Sequence, residues 1–318
     1  MLPGRDFSAE ATSTSDGSGI MVAMSGRYRT TVDPTAENNP HAYAIELVGG
    51  GRRVLEVGCS VGHVSEHLLA ADNTVVGVEI DAESAIEARA VLDTVHVVDL
   101  DTTPLTTVEH DEFDVIVLGD VLEHLRDPDP VLADLVTLLA PDGSLVISVP
   151  NLAHVDVRLM LLEGRVEYQH DGLLDRTHLR WFTKAGLRDL LERQGFVATE
   201  VRRVVCPLGG SNVPFDRAAH SDATIDFVMA DPEALTYQYV VKCERGHVEH
   251  ADDLLVDVAP DWPRHSCPAL ADELEQTRAA LTAAEAEVEA WETSNVARLT
   301  KPMRALSGRV RHAIAARQ

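Results

Sequence analysis

The chain has 318 residues, of which 27 are Lys or Arg and 52 are Asp or Glu, giving a formal net charge of −25. Hydrophobic residues make up 45% of the chain, which is enough for a core and excludes wholesale disorder. The length allows one large domain with appendages or two small domains. Because an acidic surface repels phosphate backbones, the composition argues against general nucleic-acid binding.

Targeting and metal signals are weak in this sequence. No segment approaches the roughly 20 apolar residues of a membrane span, and the first residues lack the apolar core of a signal peptide. We therefore expect a cytoplasmic protein. The four cysteines form no CxxC pair, which favours reduced thiols over a disulfide framework or a zinc knuckle. Cys243, His247 and His250 resemble metal ligands, but they lack a second ligand cluster, so no metal is predicted.

The N-terminal part of the chain divides at about residue 36. Residues 1–36 are rich in Ser, Thr, Gly and Ala and show no sustained apolar period, which predicts a flexible arm. Ala44, Ile45 and Val48 then mark one face of a helix, which is predicted to end at three consecutive glycines. A strand of the buried type follows at residues 53–57.

Apolar runs and helical periods alternate along the next 190 residues. Short apolar strands between amphipathic helices indicate a parallel sheet that is covered on both faces. We therefore predict a doubly wound, Rossmann-like α/β domain over residues 37–243. Its seven strands are the one at 53–57 and six further runs, at 74–79, 95–98, 113–118, 144–149, 196–205 and 236–243.

Several residues predict where helices and turns lie. Val61, Val64 and Leu68 predict one helix, and Val131, Leu135 and Leu138 predict another. Capping residues are predicted at Asp127 and Thr183, and residues 141–143 (PDG) predict a turn into the following strand. Residues 206–235 give no clear pattern.

A glycine turn follows the first strand, at residues 54–62 (VLEVGCSVG). Glycines let the backbone approach a ligand closely, and open α/β sheets bind ligands at the carboxyl ends of their strands. A GxGxxG fingerprint would need glycine at Ser60 and His63, so a nicotinamide or flavin cofactor fits poorly. The turn therefore predicts a cofactor of another kind.

The second strand ends in carboxylates, at residues 75–81 (VVGVEID). Glu79 stands about 20 residues after the first glycine, where a carboxylate commonly binds the hydroxyls of a ribose. Asp81 has two interpretations, as a second ligand or as the N-cap of the next helix, and the cap is favoured.

Taken together, these motifs resemble the class I S-adenosylmethionine-dependent methyltransferases. The resemblance covers about residues 37–243 and is carried by five pieces in order: the glycine turn, the acidic end of the second strand, Asp99, residues 113–125 (FDVIVLGDVLEHL) and residues 143–151 (GSLVISVPN).

The resemblance implies S-adenosyl-L-methionine as the cofactor and assigns residues to each of its parts. Ser60 replaces a glycine that is common in the family, and a small side chain there is expected to clear the ligand. The implied contacts are Glu56, Gly58, Cys59, Ser60 and Gly62 with the methionine part, Glu79 with the ribose, Asp99 with the neighbouring Leu100 at the adenine, and the backbone of Gly119 and Asp120 with the ammonium group.

A general base is expected in the loops at the strand ends, because methylation of a hydroxyl requires removal of its proton. Residues 151–181 are the predicted lid. Within it, residues 171–183 (DGLLDRTHLRWFT) resemble a pattern of biosynthetic and surface-polysaccharide methyltransferases. His178 is the first candidate base and Asp175 is expected to orient it, although the pair could equally pin the lid to the sheet.

His124 is the alternative base. It lies with Glu123 in a motif that is expected to begin a helix beside the cofactor, and a packing or cofactor-pocket role is the competing interpretation.

The C-terminal part changes composition twice. Residues 244–268 predict an acidic linker, and 269–294 predict a coiled-coil-like helix that could bind a partner protein or a second copy. Residues 295–318 form a basic tail that could contact anionic lipid, which would place the protein at the inner face of a membrane. Residues 291–306 (WETSNVARLTKPMRAL) resemble tails of bacterial glycosyltransferases of cell-surface glycan synthesis.

The sequence therefore predicts an enzyme that methylates oxygen on a sugar, a glycan or another small biosynthetic metabolite. Two alternatives stay open. One is N- or C-methylation of a secondary metabolite, and the other is a non-catalytic methyltransferase-like subunit of a glycan-synthesis assembly.

Overall fold

The computed structural model describes residues 31–246 of the chain. Most of the predicted arm, nearly all of the acidic linker, the coiled-coil-like helix and the basic tail lie outside the described residues, as do His247, His250 and Cys267. The predicted boundaries of these segments, and those of the 37–243 domain, stay predictions.

Seven strands form one sheet, in the order β3-β2-β1-β4-β5-β7-β6. All neighbouring pairs are parallel except those of β7, which runs antiparallel to both β5 and β6. The strands are β1 (Arg53–Val57), β2 (Thr74–Glu79), β3 (Thr94–Val97), β4 (Phe113–Gly119), β5 (Leu139–Pro150), β6 (Phe196–Val205) and β7 (Thr236–Arg245).

Helices connect the strands in the described part of the chain. They are α1 (Pro40–Val48), α2 (His63–Ala70), α3 (Ala82–Ala88), α4 (Pro128–Leu135), α5 (Val155–Leu162), α6 (Lys184–Arg193) and α7 (Asp222–Met229). The predicted caps are confirmed: the side chains of Asp81, Asp127 and Thr183 accept backbone N–H groups at the starts of α3, α4 and α6.

The sheet is covered on both faces, as a doubly wound fold requires. Alternate residues of one strand point to opposite faces, and in β1 Val54 packs with α1, α2 and α3 while Leu55 packs with α4 and α6. Leu68 on the first face and Leu132 on the second are both fully buried. The prediction of a seven-stranded Rossmann-like α/β fold is confirmed.

The sheet is parallel except at β7. A parallel neighbour of β6 would need a crossover helix packed on the sheet. Residues 206–235 contain α7, which contacts α5 instead. The chain consequently returns as an antiparallel strand and inserts between β5 and β6.

Three local expectations are corrected. The predicted turn at 141–143 is a bulge inside β5: Phe113 pairs with Leu139 and Val115 with Ser144, so the intervening residues of β5 loop out without ending the strand. Val61 and Leu138 lie outside α2 and α4. Glu123 and His124 do not begin a long helix but lie in a single 3₁₀ turn, Leu122–His124, and α4 starts four residues later.

These strands and helices belong to one compact unit, and the short segment Pro207–Ser211 belongs to a second. None of the described helices combines the length and apolar character needed to cross a bilayer. Cys59, Cys206 and Cys243 are free thiols.

Candidate active site

The turn after β1 has a backbone conformation that restricts residue type. Gly58 has φ 75°, and a Cβ at this position would lie 2.7 Å from Cγ2 of Val121. The N–H groups of Gly58 and Cys59 both donate to the carbonyl of Val78, at 2.7 and 3.0 Å. The turn is therefore fastened to β2, and only glycine fits its first position without strain.

The next residues continue the turn into α2. Ser60 has φ 50° and Gly62 has φ 92°, both in the left-handed region that glycine adopts most easily. The serine in place of the family glycine is therefore accommodated at the cost of some backbone strain. A Cβ on Gly62 would meet the side chain of Val91 at 3.3 Å, so α2 starts close against that residue.

Glu79 lies at the end of β2 with its carboxylate held by backbone amides. Oε2 accepts from the N–H of Ser60 at 2.8 Å, and Oε1 accepts from the N–H groups of Ile80 and Asp81, also at 2.8 Å. The residue is 8% exposed. These bonds fix the carboxylate beside the glycine turn, and Oε2, which accepts one of them, keeps lone-pair capacity for a ligand hydroxyl.

Glu56 lies nearby within β1 and is 5% exposed. It accepts a short hydrogen bond from the hydroxyl of Ser65. Burial raises the pKa of Glu56 to about 7, the Ser65 hydrogen bond lowers it and the charge of Glu79 raises it again. The structure thus brings Glu56, Gly58, Ser60 and Glu79 together, as the sequence predicted.

The predicted adenine contacts follow β3. Asp99 Oδ1 accepts from the N–H of Asp101 at 3.0 Å, so the side chain stabilises a turn. Leu100 is partly buried and lines a cavity of about 240 Å³, together with Asp101, Arg126 and Val131. Leu100 is therefore accessible from this cavity.

The end of β4 carries Gly119 and Asp120. A Cβ on Gly119 would meet no atom within 4 Å, so the backbone is open there. Asp120 has φ 54°, and its Oδ1 accepts from the Ser148 hydroxyl at 2.8 Å and from the amide of Gln238. The conformation of Asp120 is therefore held by side chains from β5 and β7.

His124 and His178, which the sequence offered as alternatives, lie against each other. Their rings meet edge to face with centroids 5.0 Å apart. Nδ1 of His124 lies 3.2 Å from the carbonyl oxygen of Thr177, and Nδ1 of His178 lies 3.3 Å from that of Leu173. Burial lowers the pKa of both imidazoles, so both are neutral at neutral pH.

Asp175 lies in the same turn as His178, and its role in orienting the imidazole stays a prediction. Its Oδ1 accepts from the N–H and the hydroxyl of Thr177, both at 2.8 Å, and the turn from 175 to 178 is not helical. The Leu173 carbonyl is one contact that orients the His178 ring. The Asp175 side chain stabilises the segment that contains Leu173 and Thr177, whose carbonyl oxygens contact the two histidines.

Two functional candidates were missed by sequence reasoning. Glu123 is 1% exposed, and its Oε2 has no hydrogen-bond partner among residues 31–246. His63, the first residue of α2, likewise buries Nε2 without a partner in that part of the chain. Buried polar atoms are nearly always hydrogen-bonded, so both atoms are expected to meet a ligand or water.

Comparison with known proteins supports the resemblance to methyltransferases that the sequence motifs indicate. Residues 27–201 match a family model described as "Methyltransferase domain". The chain is 30% identical over 165 residues to the ubiquinone biosynthesis O-methyltransferase of Aeromonas salmonicida, covering 48% of this chain and 66% of that protein. It is 29% identical over 178 residues to a "Probable S-adenosylmethionine-dependent methyltransferase" of Mycolicibacterium smegmatis, covering 55% and 63%.

A crystal structure of a SAM-dependent methyltransferase from Archaeoglobus fulgidus covers 64% of this chain and 90% of its own, with 19% identity and a TM-score of 0.46. The chain matches slightly less than two thirds of the length of the first curated relatives. Because the family model spans more than half of the sequence, the chain belongs to the class I S-adenosylmethionine-dependent methyltransferases.

Proposed function

We propose that the protein transfers the methyl group of S-adenosylmethionine to a hydroxyl oxygen of a small biosynthetic metabolite, a sugar among the candidates. The observation that carries this proposal is the edge-to-face pairing of His124 with His178, in a buried place that favours the neutral form of each imidazole by lowering its pKa. Several curated relatives bear the name ubiquinone biosynthesis O-methyltransferase, which supports oxygen as the methylated atom.

The residues after β1 and β2 fit this cofactor. The Glu79 carboxylate can accept from a ribose hydroxyl, and Gly119 leaves the backbone open to a close ligand. The unpartnered Nε2 of His63 lies at the start of α2, next to the glycine turn, and would gain a partner from a bound ligand. When bound, the cofactor supplies an electrophilic methyl group on a positively charged sulfur.

The chain's own contribution is to position the acceptor and take its proton. His178 is the proposed base because its Nδ1 donates to a carbonyl, which leaves the lone pair on Nε2. The acceptor proton moves to this nitrogen as the oxygen–methyl bond forms and the carbon–sulfur bond breaks with its electron pair on sulfur. The positive charge thereby passes from sulfur to the imidazole.

The experiment combines calorimetry with methyl transfer. Purified protein is incubated with radiolabelled cofactor and with fractionated metabolites, glycans and lipid-linked sugars. We expect cofactor binding and label on oxygen in one fraction. Label on nitrogen or carbon would overturn the O-methylation proposal, and absence of cofactor binding would favour a non-catalytic subunit.

Variants separate binding from chemistry. Glu79→Ala is expected to lose cofactor binding, whereas Glu66→Ala, on the exposed side of α2, is the matched control that keeps it. His178→Ala should bind cofactor normally and lose about 10²- to 10⁴-fold in methyl transfer, while His170→Ala, exposed in the same segment, should behave as the unmodified protein. Equal activity of the two histidine variants would reject His178 as the base.

A further inference from the structure

The carboxyl group of Glu123 is buried with one of its two oxygens unpartnered among the described residues. The residue is 1% exposed, and its Oε2 has no hydrogen-bond partner among the described residues. An ionised carboxylate in such a place loses several kcal/mol of solvation unless a cation or donors replace the water. No ion pair with Glu123 is formed within residues 31–246, so we expect the carboxyl to be a neutral acid that can donate a hydrogen bond.

The two charged groups near Glu123 act in the same direction. Besides burial, which is the main cause, the negative charges of Asp120 and Asp175 hold the pKa of Glu123 well above its usual value. The same two carboxylates also face His124 and His178. A proton on Glu123 therefore reduces the negative charge of the cluster.

The histidine tautomers complete the pattern of donors and acceptors. A carbonyl oxygen can only accept, so Nδ1 of His178 must donate to Leu173 and Nδ1 of His124 must donate to Thr177. Nε2 of His178 is then an acceptor. Glu123 therefore offers a hydrogen-bond donor, and His178 offers an acceptor.

The spacing of the three groups fits an oxygen atom between them. One carboxylate oxygen of Glu123 and one ring nitrogen of each histidine all lie within 4.8 Å of one another. Two hydrogen bonds of about 2.8 Å that meet at a tetrahedral oxygen place their outer atoms about 4.6 Å apart. A hydroxyl group, which donates once and accepts as well, matches both the distance and the polarity.

We propose that Glu123, His124 and His178 form the binding site for the acceptor's reacting hydroxyl, in which Glu123 donates to the hydroxyl oxygen, His178 accepts its hydrogen, and His124 forms the third wall. This inference rests on the proposed O-methylation. It assigns Glu123 as a positioning residue that selects acceptors with a free hydroxyl.

A divalent cation is the competing occupant of the same three groups. Zinc would need an ionised Glu123 and would draw the three atoms to about 3.4 Å from one another, given ligand distances of about 2.1 Å. The two occupants make opposite demands on Glu123. Glu123→Gln keeps a neutral hydrogen-bond donor, whereas it removes the anionic ligand that a cation requires.

The test uses nitrogen NMR of the full chain with labelled histidines and bound S-adenosylhomocysteine. The probe is cyclohexanol, and its methyl ether, methoxycyclohexane, is the matched compound without a hydroxyl hydrogen. We expect cyclohexanol alone to shift the Nε2 resonance of His178. The apparent affinity should be retained in Glu123→Gln and reduced about tenfold in Glu123→Ala, the loss of one buried hydrogen bond.

Three results would overturn the proposal: equal shifts with both probes, equal loss in both Glu123 variants, or stoichiometric displacement of the histidine resonances by ZnCl₂ that Glu123→Gln abolishes. Thermal unfolding of each variant shows whether it is folded. If Glu123→Ala does not fold, Glu123→Gln alone provides the test. Calorimetry of the cofactor is read separately, so failure of cofactor binding counts against the proposed function and not against the hydroxyl site.

Discussion

Glu56 and Glu79 show two ways in which this protein buries a carboxyl group. Glu79 accepts three backbone N–H groups, and such bonds stabilise an ionised carboxylate. Glu56 is buried beside it with the Ser65 hydroxyl as donor, and burial raises its pKa to about 7. Burial and the neighbouring charge of Glu79 therefore favour the protonated form of Glu56.

The state of Glu56 predicts how stability depends on pH. The unfolded chain releases this proton near pH 4.5, whereas the folded protein holds it until about pH 7. The free energy of unfolding should therefore fall as the pH rises through this interval. The interval between 4.5 and about 7 corresponds to about 3 kcal/mol.

Urea unfolding from pH 4.5 to 8 measures this effect. Glu56→Gln should make the decline smaller, because the raised pKa of Glu123 then remains, while Glu66→Gln, an exposed change on α2, should leave the decline intact. Parallel curves of unfolding free energy against pH for the unmodified protein and Glu56→Gln would contradict the raised pKa of Glu56.

Gly58 supplies a second prediction. Gly58→Ala combines a positive φ with a Cβ only 2.7 Å from Val121 Cγ2, whereas Gly164→Ala has a similar φ of 72° and no atom within 4 Å. We expect Gly164→Ala to cost about 1 kcal/mol of unfolding free energy and Gly58→Ala to cost more. Only Gly58→Ala should also weaken cofactor binding in calorimetry. Equal losses of unfolding free energy for the two changes would show that the Val121 side chain can move aside at little cost.

At the site, contacts between residues close together in sequence could be predicted, whereas contacts between residues far apart in sequence could not. Gly58 and Glu79 stand at spacings that report a turn and a strand end. Gln238 reaches Asp120 across 118 positions, and only the strand order explains that contact. Glu123 was visible in its motif, but its missing hydrogen-bond partner is a property of the folded environment.

At the scale of elements, strands were predicted better than their connections. The bounds of β1 and β2 agree with the predicted runs because buried strands are continuous and apolar. The bounds of β6 also agree, although this edge strand is mostly partly exposed. The turn predicted at 141–143 is a bulge because residues on both sides pair with β4, and pairing with a partner strand is invisible to local turn preferences. Residues 206–235 gave no pattern because α7 is short and packs on α5.

The N-cap of α6 offers a test at this scale. The Thr183 hydroxyl accepts from the N–H of Gly186 at 3.2 Å. Thr183→Ala should lower the free energy of unfolding by about 1 kcal/mol, and Thr183→Ser, which keeps the oxygen, should lower it by much less. Denaturant titration measures both, and similar losses would attribute the effect to the lost methyl group instead of the cap.

At the scale of the whole molecule, the large negative net charge is expected to affect thermal stability. A net charge of −25 repels itself in the compact state, and salt screens that repulsion. We expect the thermal midpoint to rise when NaCl increases from about 10 to 200 mM, a change in Debye length from about 30 to 7 Å. Glycerol at equal osmolality controls for solvent effects. A midpoint that falls with NaCl would indicate that attractive ion pairs outweigh the repulsion.

The position of β7 has a consequence for how the protein is made. It is the last described strand to leave the ribosome, yet it lies between β5 and β6 and carries Gln238 to Asp120. A nascent chain that stops before residue 236 exposes the unpaired backbone of β5, the kind of edge on which chains aggregate. Translation of the final ten residues of the sheet therefore covers that edge and also brings Gln238 to Asp120. The polypeptide thereby becomes less prone to aggregate and completes its candidate active site in the same step.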